Sequence, residues 1–160
     1  RALPEAAQIA QTLAPVLDQE GQRDLSRLLL QQSLVSHNAV GQAEYLDEHL
    51  DTLAKLRLQD GHLQSALDVY EEVIASLSTS KNQVQRAYLR IRAGKIQQQM
   101  GDFVKAIDHY QRALKLMRSE DNVEGEAQAL HSLAKAYRES GDWRQDLVYS
   151  ECAMECYQEL

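Results

Sequence analysis

The side chains in this sequence with the clearest capacity for chemistry are three lysines that recur at one period. Lys55, Lys95 and Lys135 are 40 residues apart, and Arg92 and Arg138 lie close to two of them. In a chain with a formal net charge of −7, this series would form a local basic stripe. Such a stripe suits an acidic peptide or a C-terminal carboxylate, which lysine and arginine bind through charge-assisted hydrogen bonds. The alternative is that the lysines are solvated surface residues whose period only follows a repeat.

Other residue types give no catalytic or metal-binding set in the sequence. Cys152 and Cys156 share one face of a helix, but no second pair of ligands accompanies them. A disulfide at this spacing is poorly placed. The five histidines are scattered, and no glycine-rich phosphate loop occurs. We therefore expect no enzyme activity, no metal site and no cofactor.

The composition also limits the partners and the compartment. The acidic balance argues against a general nucleic-acid binder. No apolar run approaches the roughly 20 residues of a membrane span, so we expect no membrane insertion. Two thiols that form no disulfide favour a cytoplasmic location.

Four glycines mark an internal repeat of the chain. Gly21, Gly61, Gly101 and Gly141 are each 40 residues apart, and helical patterns of apolar residues lie on both sides of the last three. Self-similarity at a fixed period of this length is typical of stacked helical repeats. The sequence therefore predicts an all-α fold of helix-turn-helix units.

The turns and the close helix contacts can be predicted within each unit. Gly101 suits a turn because the residue just past a helix end often needs positive φ. Asp102 and Asp142 are placed to cap the helix that follows. The small side chain of Ala106 would let paired helices approach closely. The polar segment Ser119–Gly125 is predicted to be a turn between units.

This pattern resembles the tetratricopeptide repeat (TPR), and the unit of 40 residues resembles the long-repeat class of that family rather than the usual repeat of about 34. That class has Leu-Gly-Asn in the first helix of each unit, where this chain has lysine in place of asparagine at Lys55, Lys95 and Lys135. The partners of that class therefore do not transfer. The shared residues are a small side chain in the first helix, then an aromatic and an alanine in the second: Ala54, Gly94, Ala134, Tyr70, Tyr110, Ala113 and Ala153.

The resemblance implies a right-handed solenoid and sets the expected boundaries. A divergent N-terminal helical unit covers residues 1–42. Three TPR-like repeats cover about 43–80, 83–118 and 123–160, and together these form one continuous solenoid domain.

In this family the first helices of the repeats line a concave groove that holds the ligand. Carried over to this chain, the resemblance implies a partner-binding set on those helices. Its members are Lys55, Tyr88, Arg92, Lys95, His131, Lys135 and Arg138.

The expected function is a protein–protein interaction scaffold that binds an acidic partner peptide in this groove. The alternative is a regulatory sensor domain of a larger signalling or transcription-regulating protein, in which the stack binds a small effector or a peptide. The last helix offers a further interface. Leu147, Met154 and Tyr157 would have no following repeat to pack on, so we also expect possible self-association through the C-terminal helix.

Overall fold

The computed structural model describes residues 63–77 and 83–160, and all the regular elements in these residues are α-helices. Contacts divide the chain into two compact units, Arg1–Ser76 and Leu77–Leu160. The predicted all-α fold is confirmed, while the boundaries of the individual repeats stay predictions. The helices are α1 (Leu63–Ser76) in the first unit, and α2 (Gln83–Gln99), α3 (Phe103–Ser119), α4 (Val123–Ser140) and α5 (Trp143–Gln158) in the second.

Helix α1 is amphipathic, as its sequence predicts. Its buried residues recur at steps of three and four, which keeps them on one side of a helix. They are Ala66, Leu67, Tyr70, Val73 and Ile74.

The second unit consists of two helical hairpins. Helix α2 packs against α3, α3 against α4 and α4 against α5, and α2 also contacts α4. Helices α2 and α4 begin 40 residues apart, at Gln83 and Val123. The hairpins α2–α3 and α4–α5 therefore repeat one plan, and the first helices of the two hairpins are neighbours.

The turn inside each hairpin has the predicted chemistry. Gly101 and Gly141 adopt φ of 81° and 89°, in the left-handed region that favours glycine. The carboxylate of Asp102 accepts a hydrogen bond from the Lys105 backbone N–H at 3.2 Å, and that of Asp142 caps α5 in the same way. Both predicted aspartate caps are confirmed.

The turn between the hairpins is shorter than predicted. Helix α3 ends at Ser119 and α4 begins at Val123. Asn122 caps α4 by accepting a hydrogen bond from the Gly125 N–H at 2.7 Å. Gly125 therefore lies inside the first turn of α4, where an added Cβ would collide with the side chain of Met117. It is a packing residue and not part of the turn.

The core of the second unit depends on small residues that bring helices close together. Ala106 and Ala113 on α3 are fully buried. Gly94 on α2 lies against the ring of Tyr110, so that an added Cβ would be 2.5 Å from Cε1 of that ring. These small residues let α2 and α3 pack closely in the first hairpin.

Candidate functional site

A groove of about 470 Å³ lies between the first helices of the two hairpins. Helices α2 and α4 supply most of its walls, α3 contributes one tyrosine and α5 another. The lining residues are Lys95, Gln98, Gln99, Tyr110, Gln128, His131, Ser132, Lys135, Glu139 and Tyr157.

Helix periodicity explains why these side chains share one surface. On α4 the lining residues recur at steps of three and four, from Gln128 to Glu139, and so follow one side of the helix. The 40-residue repeat brings the matching side of α2 next to it. Lys95 therefore corresponds to Lys135, and Gln99 corresponds to Glu139.

The two lysines and a neighbouring arginine create a positive potential at one part of the groove. Partial burial of the Lys95 ammonium lowers its pKa, and the charges of Arg92 and Lys135 lower it further. Repulsion among like charges disfavours the protonated form. The shift therefore reflects the partial burial of Lys95 first and the nearness of two other cations second.

A chain of hydrogen bonds crosses the groove and joins the two hairpins. The hydroxyl of Tyr110 donates to Oε1 of Gln98 at 2.9 Å. The side-chain amide of Gln98 donates to Oε2 of Glu139 at 2.6 Å. Lys135 Nζ lies 3.9 Å from Oε1 of the same carboxylate. Burial and the charge of Glu139 both raise the pKa of Tyr110, so this hydroxyl stays protonated and remains a donor.

The structure brings together part of the predicted partner-binding set. Lys95, His131 and Lys135 line the groove, and Arg92 lies close enough to Lys95 to affect its pKa. Lys55 lies outside the described residues.

The two remaining predicted residues have structural contacts elsewhere. Tyr88 is partly buried and packs against the core of the second unit. The guanidinium of Arg138 donates to both carboxylate oxygens of Asp146, at 2.8 and 3.0 Å. Arg138 therefore joins α4 to α5 and is not among the residues that line the groove.

Sequence reasoning did not select several groove residues, although a signal was present for some. Gln99 and Glu139 follow the predicted lysines by four residues, so helix periodicity alone places them beside Lys95 and Lys135. Tyr157 carries no such signal, because it reaches the groove from the end of α5.

Within residues 63–77 and 83–160, no group of three or more His, Cys, Asp or Glu side chains is arranged to hold a metal ion. No helix in this part of the chain is both long enough and apolar enough to cross a membrane. Cys152 and Cys156 are free thiols that are partly buried.

Solved structures share this fold. The protein BtubC from P. vanneervenii matches with a TM-score of 0.69 and 20% identity, over 100% of this chain and 71% of that one. Two structures of MamA match with TM-scores of 0.55 and 0.54. Their identities are 18% and 17%, and the matches cover 91% and 98% of this chain and 84% and 94% of theirs. At these identities the likeness shows an all-α fold of helical repeats. Among curated protein sequences there is no significant match.

A family model also matches part of the sequence. Residues 84–159 match the model of the tetratricopeptide repeat. The predicted TPR resemblance is confirmed, while the assignment to a long-repeat class stays a prediction. Proteins built from such repeats serve in general as scaffolds for protein interactions, and the match supports a role of that general kind.

Proposed function

We propose that the groove between α2 and α4 binds a short acidic segment of a partner protein. The observation that supports this function best is the cluster of positive charge at Lys95, where Arg92 and Lys135 act on the same ammonium. Cations clustered on a chain of net charge −7 would steer an acidic peptide toward the groove.

The lysines act as the charged anchors of the peptide. A ligand carboxylate between Lys95 and Lys135 would accept charge-assisted hydrogen bonds from both ammonium groups. His131, which also lines the groove, would add a further donor. Because Lys135 is only weakly engaged with Glu139, at 3.9 Å, it can turn toward a ligand at little cost.

The neutral side chains of the groove suit the rest of the peptide. Gln99, Gln128 and Ser132 present amide and hydroxyl groups that can donate to or accept from a peptide backbone. Tyr157 offers an exposed ring at the edge. A volume of about 470 Å³ falls within the roughly 300–1,000 Å³ of ligand pockets, which matches a few residues rather than a folded surface.

Glu139 gives the groove a direction. Its carboxylate is the acidic group among the lining residues and is held in place by Gln98 at 2.6 Å. A second acidic residue of the ligand would be repelled at this end, whereas a basic or neutral residue would be accepted. We therefore expect one carboxylate near Lys95 and no acidic residue beside Glu139.

A direct test compares two charge-matched variants in binding to a fluorescently labelled hexapeptide that carries one glutamate among glycine and serine residues and has neutral caps at both ends. The variant Lys95→Gln with Lys135→Gln should weaken binding by about tenfold or more, since each lost charge-assisted bond is worth roughly 1.5–3 kcal/mol before screening by solvent. The control variant Lys105→Gln with Lys115→Gln removes two exposed lysines of α3 outside the groove. It has the same net charge.

The control separates a specific site from general attraction between an acidic peptide and lysine. If both variants weaken peptide binding equally, the groove is not the binding site. The same follows if both variants bind the peptide as tightly as the starting protein. Thermal melts of both variants should stay close to that of the starting protein, because the substituted lysines are exposed.

A further inference from the structure

An apolar stripe runs along the exposed side of α5. Trp143, Leu147, Met154 and Tyr157 recur at helical spacing, so they lie on one side of the helix. These large side chains are 66%, 61%, 59% and 51% exposed. The opposite side of α5 packs on the core through residues such as Ala153. The stripe is therefore distinct from the surface through which α5 packs against α4.

Charged residues follow one border of this stripe. Arg144 lies in the first turn of α5, and Glu151 and Glu155 lie further along the same side of the helix. None of the three forms an ion pair with the residues that the structure describes. This border of α5 is therefore positive at the start of the helix and negative toward its end.

We propose that α5 pairs with α5 of a second copy of this chain, in antiparallel orientation about a two-fold axis. In such an interface, residue i of one copy meets residue j of the other, and j meets i. One register satisfies the whole stripe, because it places Leu147 opposite Met154 of the second copy and Trp143 opposite Tyr157.

The same register brings opposite charges together. Arg144 of one copy lies beside Glu155 of the other, and the two-fold axis makes this contact twice. Antiparallel packing also sets the positive end of each helix dipole beside the negative end of its partner. A parallel pair would instead set like ends of the two helix dipoles side by side, and it would separate Arg144 from Glu155 of the other copy along the helix.

The stripe is small for a protein interface. At roughly 150–250 Å² for a large side chain, the exposed fractions leave about 450 Å² of apolar surface on each copy. Standard interfaces bury about 800 Å² per partner. We therefore expect a weak and reversible dimer whose population depends on protein concentration.

The proposal is tested by sedimentation equilibrium of the 160-residue chain between about 10 µM and about 1 mM, which covers dissociation constants in the micromolar to millimolar range. The mean mass should rise toward twice that of the monomer. The variant Leu147→Glu with Met154→Glu should stay monomeric. The control Val104→Glu changes an equally apolar residue of α3 that is 81% exposed, and it should dimerise like the starting protein. Tyr157 is left unchanged because it also lines the groove.

Charge exchange tests the orientation. Arg144→Glu and Glu155→Arg should each weaken the dimer on the order of tenfold, because two exposed ion pairs become two repulsions. The two substitutions together should restore it. Glu151 lies near the two-fold axis, where it would face Glu151 of the second copy. Because these like charges repel, Glu151→Gln should strengthen the dimer.

If the mean mass stays that of a monomer over the whole concentration range, a second copy does not bind the stripe. The proposal also fails if the dimer survives Leu147→Glu with Met154→Glu, or if Val104→Glu abolishes it as well. The antiparallel register is overturned if the combined charge exchange does not restore association. Circular dichroism and a thermal melt of each variant show that it has folded.

Discussion

The two hairpins of the second unit share one backbone plan but join their helices by different chemistry. In α2–α3 the contact is a buried ring: Tyr110 packs against Gly94 and donates to Gln98 at 2.9 Å. In α4–α5 no ring occupies that position. The residues 40 positions later are Ser150, Ala134 and Arg138.

A charged network takes the place of the ring in α4–α5. Arg138 binds both oxygens of Asp146, at 2.8 and 3.0 Å, and Ser150 donates to the same carboxylate at 3.1 Å. Asp146 stands where the first hairpin has Ala106. Several matching positions therefore differ between the two hairpins, although both follow one helix-turn-helix plan.

The largest effect is expected where the ring is removed. Tyr110→Ser should lower the free energy of unfolding by about 3–5 kcal/mol, because a fully buried aromatic side chain leaves a cavity and Gln98 loses its donor. Ser150→Ala at the matching position should cost about 1 kcal/mol or less, since only one hydrogen bond is lost. Urea denaturation followed by circular dichroism measures both values. If both substitutions lower the free energy of unfolding by similar amounts, the ring of Tyr110 does not distinguish the first hairpin from the second.

A smaller effect with a change of sign is expected at Gly94. Gly94→Ala should destabilise by about 1–3 kcal/mol, because the added methyl group overpacks the ring of Tyr110. In a Tyr110→Ser background the same substitution should stabilise by up to about 1 kcal/mol, since alanine is the better helix former. Ala134→Gly in the second hairpin should cost about 0.5–1 kcal/mol. A double-mutant cycle measures the coupling, and additive effects would rule out the ring contact.

The turns should respond alike in the two hairpins. Gly101→Val and Gly141→Val each force a β-branched residue into positive φ, at 81° and 89°, which should cost roughly 1–2 kcal/mol. An added Cβ meets no atom within 4 Å at either glycine, so no clash adds to the backbone term. Thermal denaturation should therefore show similar losses of stability in the two variants. Clearly different losses would show that the two turns differ in more than their backbone φ.

The sequence predicts most reliably those features that depend on neighbouring residues. The caps at Asp102 and Asp142 and the positive φ of the two turn glycines are local, and the structure has them as predicted. The helices of the second unit follow from apolar spacing in the same way.

Contacts between helices could be predicted only in part. The periodic lysines Lys95 and Lys135 do line one groove, because the repeat alone brings their helix faces together. The bond from Gln98 to Glu139 joins residues 41 positions apart, and no spacing rule indicates it. The TPR resemblance placed Arg138 among the ligand-facing positions. Its partner Asp146 has no counterpart in the first hairpin, where Ala106 stands at the matching position, and the contact forms only because α5 packs against α4.

The charged network should also make the contact between α4 and α5 sensitive to acid. The hydrogen bonds from Arg138 and Ser150 lower the pKa of Asp146. A carboxylate with a lowered pKa contributes its full stabilisation to the folded state at pH values above its unfolded pKa of about 3.9. This contribution disappears as the pH falls through the pKa of the folded state.

The melting temperature of Asp146→Asn should therefore lie below that of the starting protein at neutral pH, and the two melting temperatures should converge as the pH falls below about 4. Asp108→Asn is the matched control, because its pair with Arg112 is exposed on both sides and contributes little. If both variants show the same convergence, the acid sensitivity does not come from the bond between α4 and α5.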